Sequence, residues 1–111
     1  MMSYDIKKAA EEFLLEPADL EDILFPFIEC TDELLLECDA AYQAEDGVWL
    51  QKLFHTIKGS ASNMRMEKFA KLVKETELKV KNDNWLTLED DLSEINKEFR
   101  VISKEIKEFY K

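Results

Sequence analysis

The chain has 111 residues, one domain's worth, with 15 Lys and Arg against 25 Asp and Glu. The resulting charge of −10 repels phosphate backbones and anionic headgroups, which argues against nucleic acid and membrane surfaces as partners. Gly and Pro number two each while apolar residues make up 46%, so turns are few, elements long, and an all-α single domain over residues 1–111 is expected.

In chain order, Ser3 predicts the cap of a short helix over about 4–15, with Ile6, Ala10, Phe13 and Leu14 on its apolar side. Pro17 opens a second helix as a first-turn proline. Its apolar positions Leu20, Leu24, Phe27, Thr31, Leu34, Cys38 and Ala41 step by three and four, and it runs to about Ala44. Pro26 removes one backbone hydrogen bond and predicts a kink or break near residues 22–25, and Asp46-Gly47 predicts the stop. Cys30 and Cys38 lie about 12 Å apart along this helix, too far for a disulfide, so reduced thiols are expected. No apolar run approaches the roughly 18 residues of a membrane span, and MMSYDIKK lacks a signal-peptide core. Cytoplasmic location is the expectation.

A third helix is predicted over about 48–63 and a fourth over about 66–81, the latter with Met66, Phe69, Val73, Thr76 and Val80 on one side. Asn82, Asp83 and Asn84 suit the next turn. In the last helix Trp85, Leu88, Leu92, Ile95, Phe99, Ile102, Ile106 and Phe109 alternate steps of three and four. Short connections make neighbouring helices antiparallel. The expected architecture is an up-down antiparallel four-helix bundle over about 17–110, with a short extra N-terminal helix.

The third helix holds the only histidine, in LFHTIKGSASNM (53–64). Leu50, Leu53, Phe54, Ile57, Ala61 and Met64 share one arc of the helical wheel, while His55, Gln51, Lys58, Gly59 and Ser62 lie on another side. Glycine costs about 1 kcal/mol against alanine in a helix interior, so Gly59 suggests a face cleared for another protein's active site to close over His55. An exposed imidazole is largely neutral at physiological pH, and its free nitrogen is a nucleophile toward a phosphoryl group. Lys58, one turn on, offers a cation to phosphoryl oxygens, and Ser62 or the neighbouring Ser60 a hydroxyl donor.

With one histidine, no histidine-based metal site can form. There is no G-x-S-x-G elbow and no phosphate-binding glycine loop, so neither hydrolysis nor ATP-dependent kinase activity is expected, and phosphate must come from elsewhere. Two other classes fit the same pattern. One is an adaptor that binds a signalling partner through this face without being phosphorylated; the other is an oligomer paired through the final seam.

His55-Thr56-Ile57-Lys58-Gly59-Ser60-Ala61 resembles the H-x-L-K-G-[SA]-[SA] signature of histidine-containing phosphotransfer (HPt) domains of two-component phosphorelays. The likeness extends over most of the chain. It takes in a Pro-Ala-Asp-Leu helix entry, a long acidic second helix, an Asp-Gly-x-Trp connector and a Lys-Phe-Ala-x-Leu-Val-x-x-x-Glu helix. The resemblance implies a monomeric relay intermediate whose exposed His55 takes phosphate from a receiver domain or kinase and passes it to another receiver. It makes Lys58 the nearby cation, Gly59 the residue permitting receiver docking and Ser60 the small polar position. The implied partners are response-regulator receivers and a sensor or hybrid histidine kinase; the receiver brings the magnesium ion, and the chain has no cofactor of its own. The initiating Met and the full helix set suggest a free-standing protein.

Glu77 and Lys81 fall where the bundle brings side chains toward the level of His55. Phe25 and Leu36 lie off the core stripe of the second helix; they fit either a docking patch beside His55 or packing against the N-terminal helix, with equal weight. One position departs from the family pattern. Where members have glycine ten residues after the histidine stands Arg65, and a left-handed residue there would be strained by about 1 kcal/mol, making Asn63 the better candidate for that conformation.

Overall fold

Apolar stripes at helical spacing, separated by turns of a few residues, organise the described residues into five helices. The computed structural model describes residues 2–111: α1 (Ile6–Glu12), α2 (Pro17–Gln43), α3 (Gly47–Asn63), α4 (Glu67–Lys81) and α5 (Leu88–Phe109). Each of α2 to α5 packs against the next, α5 returns to α2, and α1 lies against α2. This is the expected four-helix bundle with one short extra helix. The 27 residues of α2 span about 40 Å at 1.5 Å each and set the long dimension of a molecule measuring 42 × 23 × 22 Å. Among the described residues no helix is long and apolar enough to cross a membrane.

The seam along α5 is buried from Leu88 to Ile106 as expected, while Phe109 is partly exposed and Trp85 precedes the helix. Trp85 instead stacks on Tyr42 and approaches Gly47, where an added Cβ would lie 3.4 Å from its ring. On α2 the buried stripe is Leu20, Leu24, Ile28, Thr31, Leu35, Cys38 and Ala41. Ile28 and Leu35 thus occupy core positions assigned from spacing to Phe27 and Leu34, which are half-buried on its flank. Phe27 there meets Phe99 edge-on at 6.1 Å. Of the kink or break expected near residues 22–25, no break occurs: α2 runs through Pro26 as one helix. Asp22 and Pro26 are both exposed, so water can serve the carbonyl that loses its helical partner.

Four helices end in the same way, and none of them uses glycine. Leu14, Glu45, Arg65 and Asp83 have φ of 59°, 54°, 65° and 55°. Around each, paired backbone bonds close a Schellman motif; after α3 these are Met66 N–H to the Ala61 carbonyl (2.9 Å) and Arg65 N–H to the Ser62 carbonyl (3.0 Å). Arg65, not Asn63, therefore takes the left-handed conformation. Its guanidinium bonds Glu12 (Nε to Oε2, 3.0 Å) and sits 5.0 Å from the Phe13 ring centroid, tying the α3–α4 turn to α1. Likewise the stop of α2 is Glu45; Asp46 instead caps α3, its Oδ1 accepting from the Trp49 N–H, and Gly47 is the first helical residue.

α1 is shorter than expected because Asp5 caps it, accepting from the Lys8 N–H at 3.0 Å, while the Ser3 N–H donates to Glu105. Leu14 falls after the helix and is 92% exposed. The segment is nonetheless fastened: Ser3 and Tyr4 N–H both donate to the Glu105 carboxylate, and the buried Tyr4 hydroxyl donates to the Met64 carbonyl at 2.9 Å. At the other end the Tyr110 hydroxyl donates to the Pro17 carbonyl at 2.6 Å.

A left-handed residue with a Cβ costs about 1–2 kcal/mol. Leu14→Gly, which sacrifices almost no packing, should raise unfolding stability by about 1 kcal/mol in urea titrations. Arg65→Gly should gain less, since it also loses the Glu12 and Phe13 contacts, together worth about 1 kcal/mol.

Burial, reinforced by Asp39 and Glu37, pushes the Cys38 thiol up from 9.0 to about 12. Because its folded pKa lies above the unfolded one, this contribution to stability is complete below about pH 9 and is lost as pH rises toward 12. The urea midpoint should fall between pH 8.5 and about 10.5, and less steeply in Cys38→Ala.

Candidate functional site

Helices α3 and α4 form an antiparallel hairpin, and three polar side chains meet across it. The Glu77 carboxylate lies on the buried stripe of α4 between Val73 and Val80, with 12% of its side chain exposed. An isolated charge there would be costly, and it is compensated from α3. Lys58 Nζ donates to Glu77 Oε1 at 2.9 Å, and His55 Nδ1 stands 3.3 Å from Oε2. Nδ1 is also 3.3 Å from Lys58 Nζ.

These distances turn Nδ1 toward the Lys58–Glu77 pair. Glu77 Oε2 is within reach of a proton on Nδ1, and Lys58, an ammonium with donors left after Glu77, is within reach to donate to the same nitrogen. With the His55 side chain 71% exposed and its described contacts all at Nδ1, Nε2 is the ring nitrogen left without a described partner.

The helix backbone keeps the surroundings of His55 open. Gly59 follows one turn later, and a Cβ added to it would meet nothing within 4 Å. Its missing side chain is therefore not demanded by internal packing. A hollow beside the imidazole is lined by Val48, Gln51, Lys52, Thr56 and Glu77.

The residues expected at the site fall into three groups. His55, Lys58, Gly59 and Gln51 come together around the imidazole. Ser62 is exposed about 10 Å further along α3, in an adjoining groove with Lys58, Lys71 and Lys74, beyond reach of the His55 ring. Ser60 is half-buried and turned back on its own helix, donating to the Thr56 carbonyl at 3.1 Å. Neither Phe25 nor Leu36 is brought to His55. Phe25 packs edge-on against Tyr110 at 6.1 Å, and Leu36 is exposed on the groove between α2 and α5 beside Asp32, Asn96 and Phe99. Both leave the core stripe of α2 on sides that face α5, away from α3.

Sequence reasoning placed Glu77 near the level of His55 but assigned it no role. The available signal was a carboxylate on an otherwise apolar stripe, Met66, Phe69, Val73, Thr76 and Val80. Lys81, placed at the same level, is exposed and makes no ion pair among the described residues. Among those residues no three His, Cys, Asp or Glu side chains converge to hold a metal ion.

The tautomer is directly observable. If Glu77 sets the tautomer, nitrogen-15 spectra of the wild type with the imidazole neutral should give Nε2 the unprotonated signature and Nδ1 the protonated one. Glu77→Ala should shift the population toward Nε2–H, since Lys58 is then free to donate to Nδ1; an unchanged tautomer would show that Glu77 does not set it.

The family model described as the Hpt domain matches residues 22–107. Compared with the curated proteins and with the solved structures, the chain has no match in either.

Proposed function

The chain belongs to the Hpt domain family, whose members carry phosphoryl groups on histidine in two-component systems and are not kinases, and on that premise we propose that His55 is its phosphoacceptor. The single observation that carries this reading is the exposed imidazole whose inner nitrogen faces a buried carboxylate at 3.3 Å. In the reaction Nε2 attacks the phosphorus of an aspartyl phosphate on a receiver domain, the P–N bond forms, and the P–O bond breaks as the aspartate carboxylate leaves. The ring gains positive charge as it attacks. Glu77, 3.3 Å from Nδ1, stabilises that charge, so the carboxylate acts where charge develops.

The reverse transfer uses the same parts. A receiver aspartate attacks phosphorus and the imidazole departs from it, leaving neutral with its proton still on Nδ1. Lys58 anchors Glu77 and lies one turn from the phosphorylated ring, where its cation offsets phosphoryl charge. Gly59 and Gln51 leave the approach to Nε2 clear for the receiver. The magnesium ion belongs to the receiver in this scheme, and the donor is a receiver or a sensor or hybrid kinase. The protein itself acts as a cytoplasmic, monomeric relay intermediate. Ser60 supports the α3 backbone in this scheme, and Ser62 serves the adjoining groove.

Exposure of His55 makes the test clean. His55→Gln should retain the circular dichroism and urea midpoint of the wild type while losing every acid-labile phosphoryl adduct, read by intact mass after incubation with phosphorylated receivers. Gly59→Ala should stabilise the helix by about 1 kcal/mol, and Gly59→Trp should block transfer without unfolding the protein. Receiver binding that survives in His55→Gln, with no adduct on the wild type, would instead identify an unphosphorylated adaptor.

A further inference from the structure

Charge is divided unevenly over this fold. Residues 47–81, the α3–α4 hairpin, hold eight Lys and Arg against three Glu, a local charge of +5. The rest of the chain holds seven against 22, or −15, which restores the total of −10. Within the hairpin, Lys58, Arg65, Lys68 and Lys79 each face a carboxylate. Lys52, Lys71, Lys74 and, at the end of α4, Lys81 are exposed and form no ion pair among the described residues.

The first three lie on the face of the hairpin that carries the imidazole and the groove adjoining it. Lys52 precedes His55 by one turn and lines its hollow. On the other flank Lys71 and Lys74 rise from α4 along a groove with Lys58, Ser62 and one carboxylate, Glu67, over the small Ala70 side chain. We propose that Lys52, Lys71 and Lys74 form the partner-selecting surface of the site, and that the partner they fit is a protein face rich in carboxylates around its phosphoryl-bearing position. This inference rests on the phosphotransfer reading for what is transferred; its evidence is the placement of charge.

The magnitudes favour a local effect over the net charge. The Debye length is about 8 Å at physiological ionic strength, while the bundle is 22 to 23 Å thick. A partner approaching the hairpin therefore meets the +5 surface with the acidic far side largely screened. Steering of this kind raises association rates by about 10- to 1,000-fold. At about 0.01 M salt the screening length reaches about 30 Å and the whole molecule is felt, so the test belongs at 0.1 M and above.

Association with two unphosphorylated receiver domains, one carboxylate-rich and one basic around its phosphorylatable aspartate, is measured by stopped flow from 0.1 to 0.5 M NaCl. The variants are Lys71→Glu/Lys74→Glu and, as a control with the same charge change on α5, Lys97→Glu/Lys104→Glu. The expected result is faster association with the carboxylate-rich receiver, a rate that falls with salt, and a loss of about tenfold in the α4 variant but not in the α5 control. Equal losses in both variants, a salt-independent rate, or preference for the basic receiver would overturn the proposal. So would a wild-type dimer in sedimentation that the α4 variant loses, which would assign the surface to the acidic face of a second copy. The phosphoacceptor reading is checked separately by loading His55 with phosphoramidate and weighing the product, so either idea can fail alone.

Discussion

A carboxylate on the apolar stripe of α4 has to find a cation, and Glu77 finds Lys58 across the hairpin at 2.9 Å. Breaking a partly buried pair by removing one partner leaves an uncompensated charge, so this contact constrains the register of α3 against α4 more tightly than apolar packing alone. The same carboxylate has a second oxygen. Standing 3.3 Å from His55 Nδ1, it links a structural constraint to a chemical group: the inner nitrogen of the ring faces the Lys58–Glu77 pair and Nε2 is left on the outer side. Fold and site therefore share one residue.

That arrangement depends on the α3–α4 turn. His55 lies ten residues before Arg65 and Glu77 twelve after it, so one residue more or less in the turn would swing Glu77 by about 100° around α4 and away from the imidazole. The turn is held at several points: the paired Schellman bonds, the Tyr4 hydroxyl on the Met64 carbonyl, and Arg65 on Glu12 and Phe13. Part of this hold comes from α1, which lies outside the residues matched by the Hpt domain model. The N-terminal helix thus supports, from the far end of the hairpin, the register that the histidine needs.

Most of the architecture was legible because helical spacing is a long, redundant signal: the α5 seam from Leu88 to Ile106 and the α4 stripe from Met66 to Val80 could hardly be read otherwise. The errors cluster where a single residue decides. Spacing alone does not distinguish Phe27 from Ile28 as the core position, because a half-buried ring on the flank satisfies the same pattern. Backbone capping chose Asp5 over Ser3, where the stronger acceptor was available, and it put left-handed φ on four residues with side chains while both glycines went to right-handed helix. At the site, His55, Lys58 and Gly59 share one helix, so their neighbourhood follows from the wheel. Glu77 comes from a different helix and depends on a register that no single segment carries, and Phe25 and Leu36 needed the position of α5 to be placed.

The two kinds of local strain have different meanings. The left-handed Leu14, Glu45, Arg65 and Asp83 each cost conformational energy, and each is repaid locally by backbone bonds that close the helix end. Gly59 has no such compensation: nothing occupies the space its side chain would fill, and alanine would make the helix more stable. A destabilising residue in open space beside an exposed imidazole has no account within the fold, and the proposed phosphotransfer supplies an external one, the approach of a receiver to His55. The bundle tolerates that cost because its core does not draw on this face. Phe54 and Ile57, flanking His55 on α3, are fully buried on the other side of the helix, so the surface around the imidazole is free to be shaped by what must approach it.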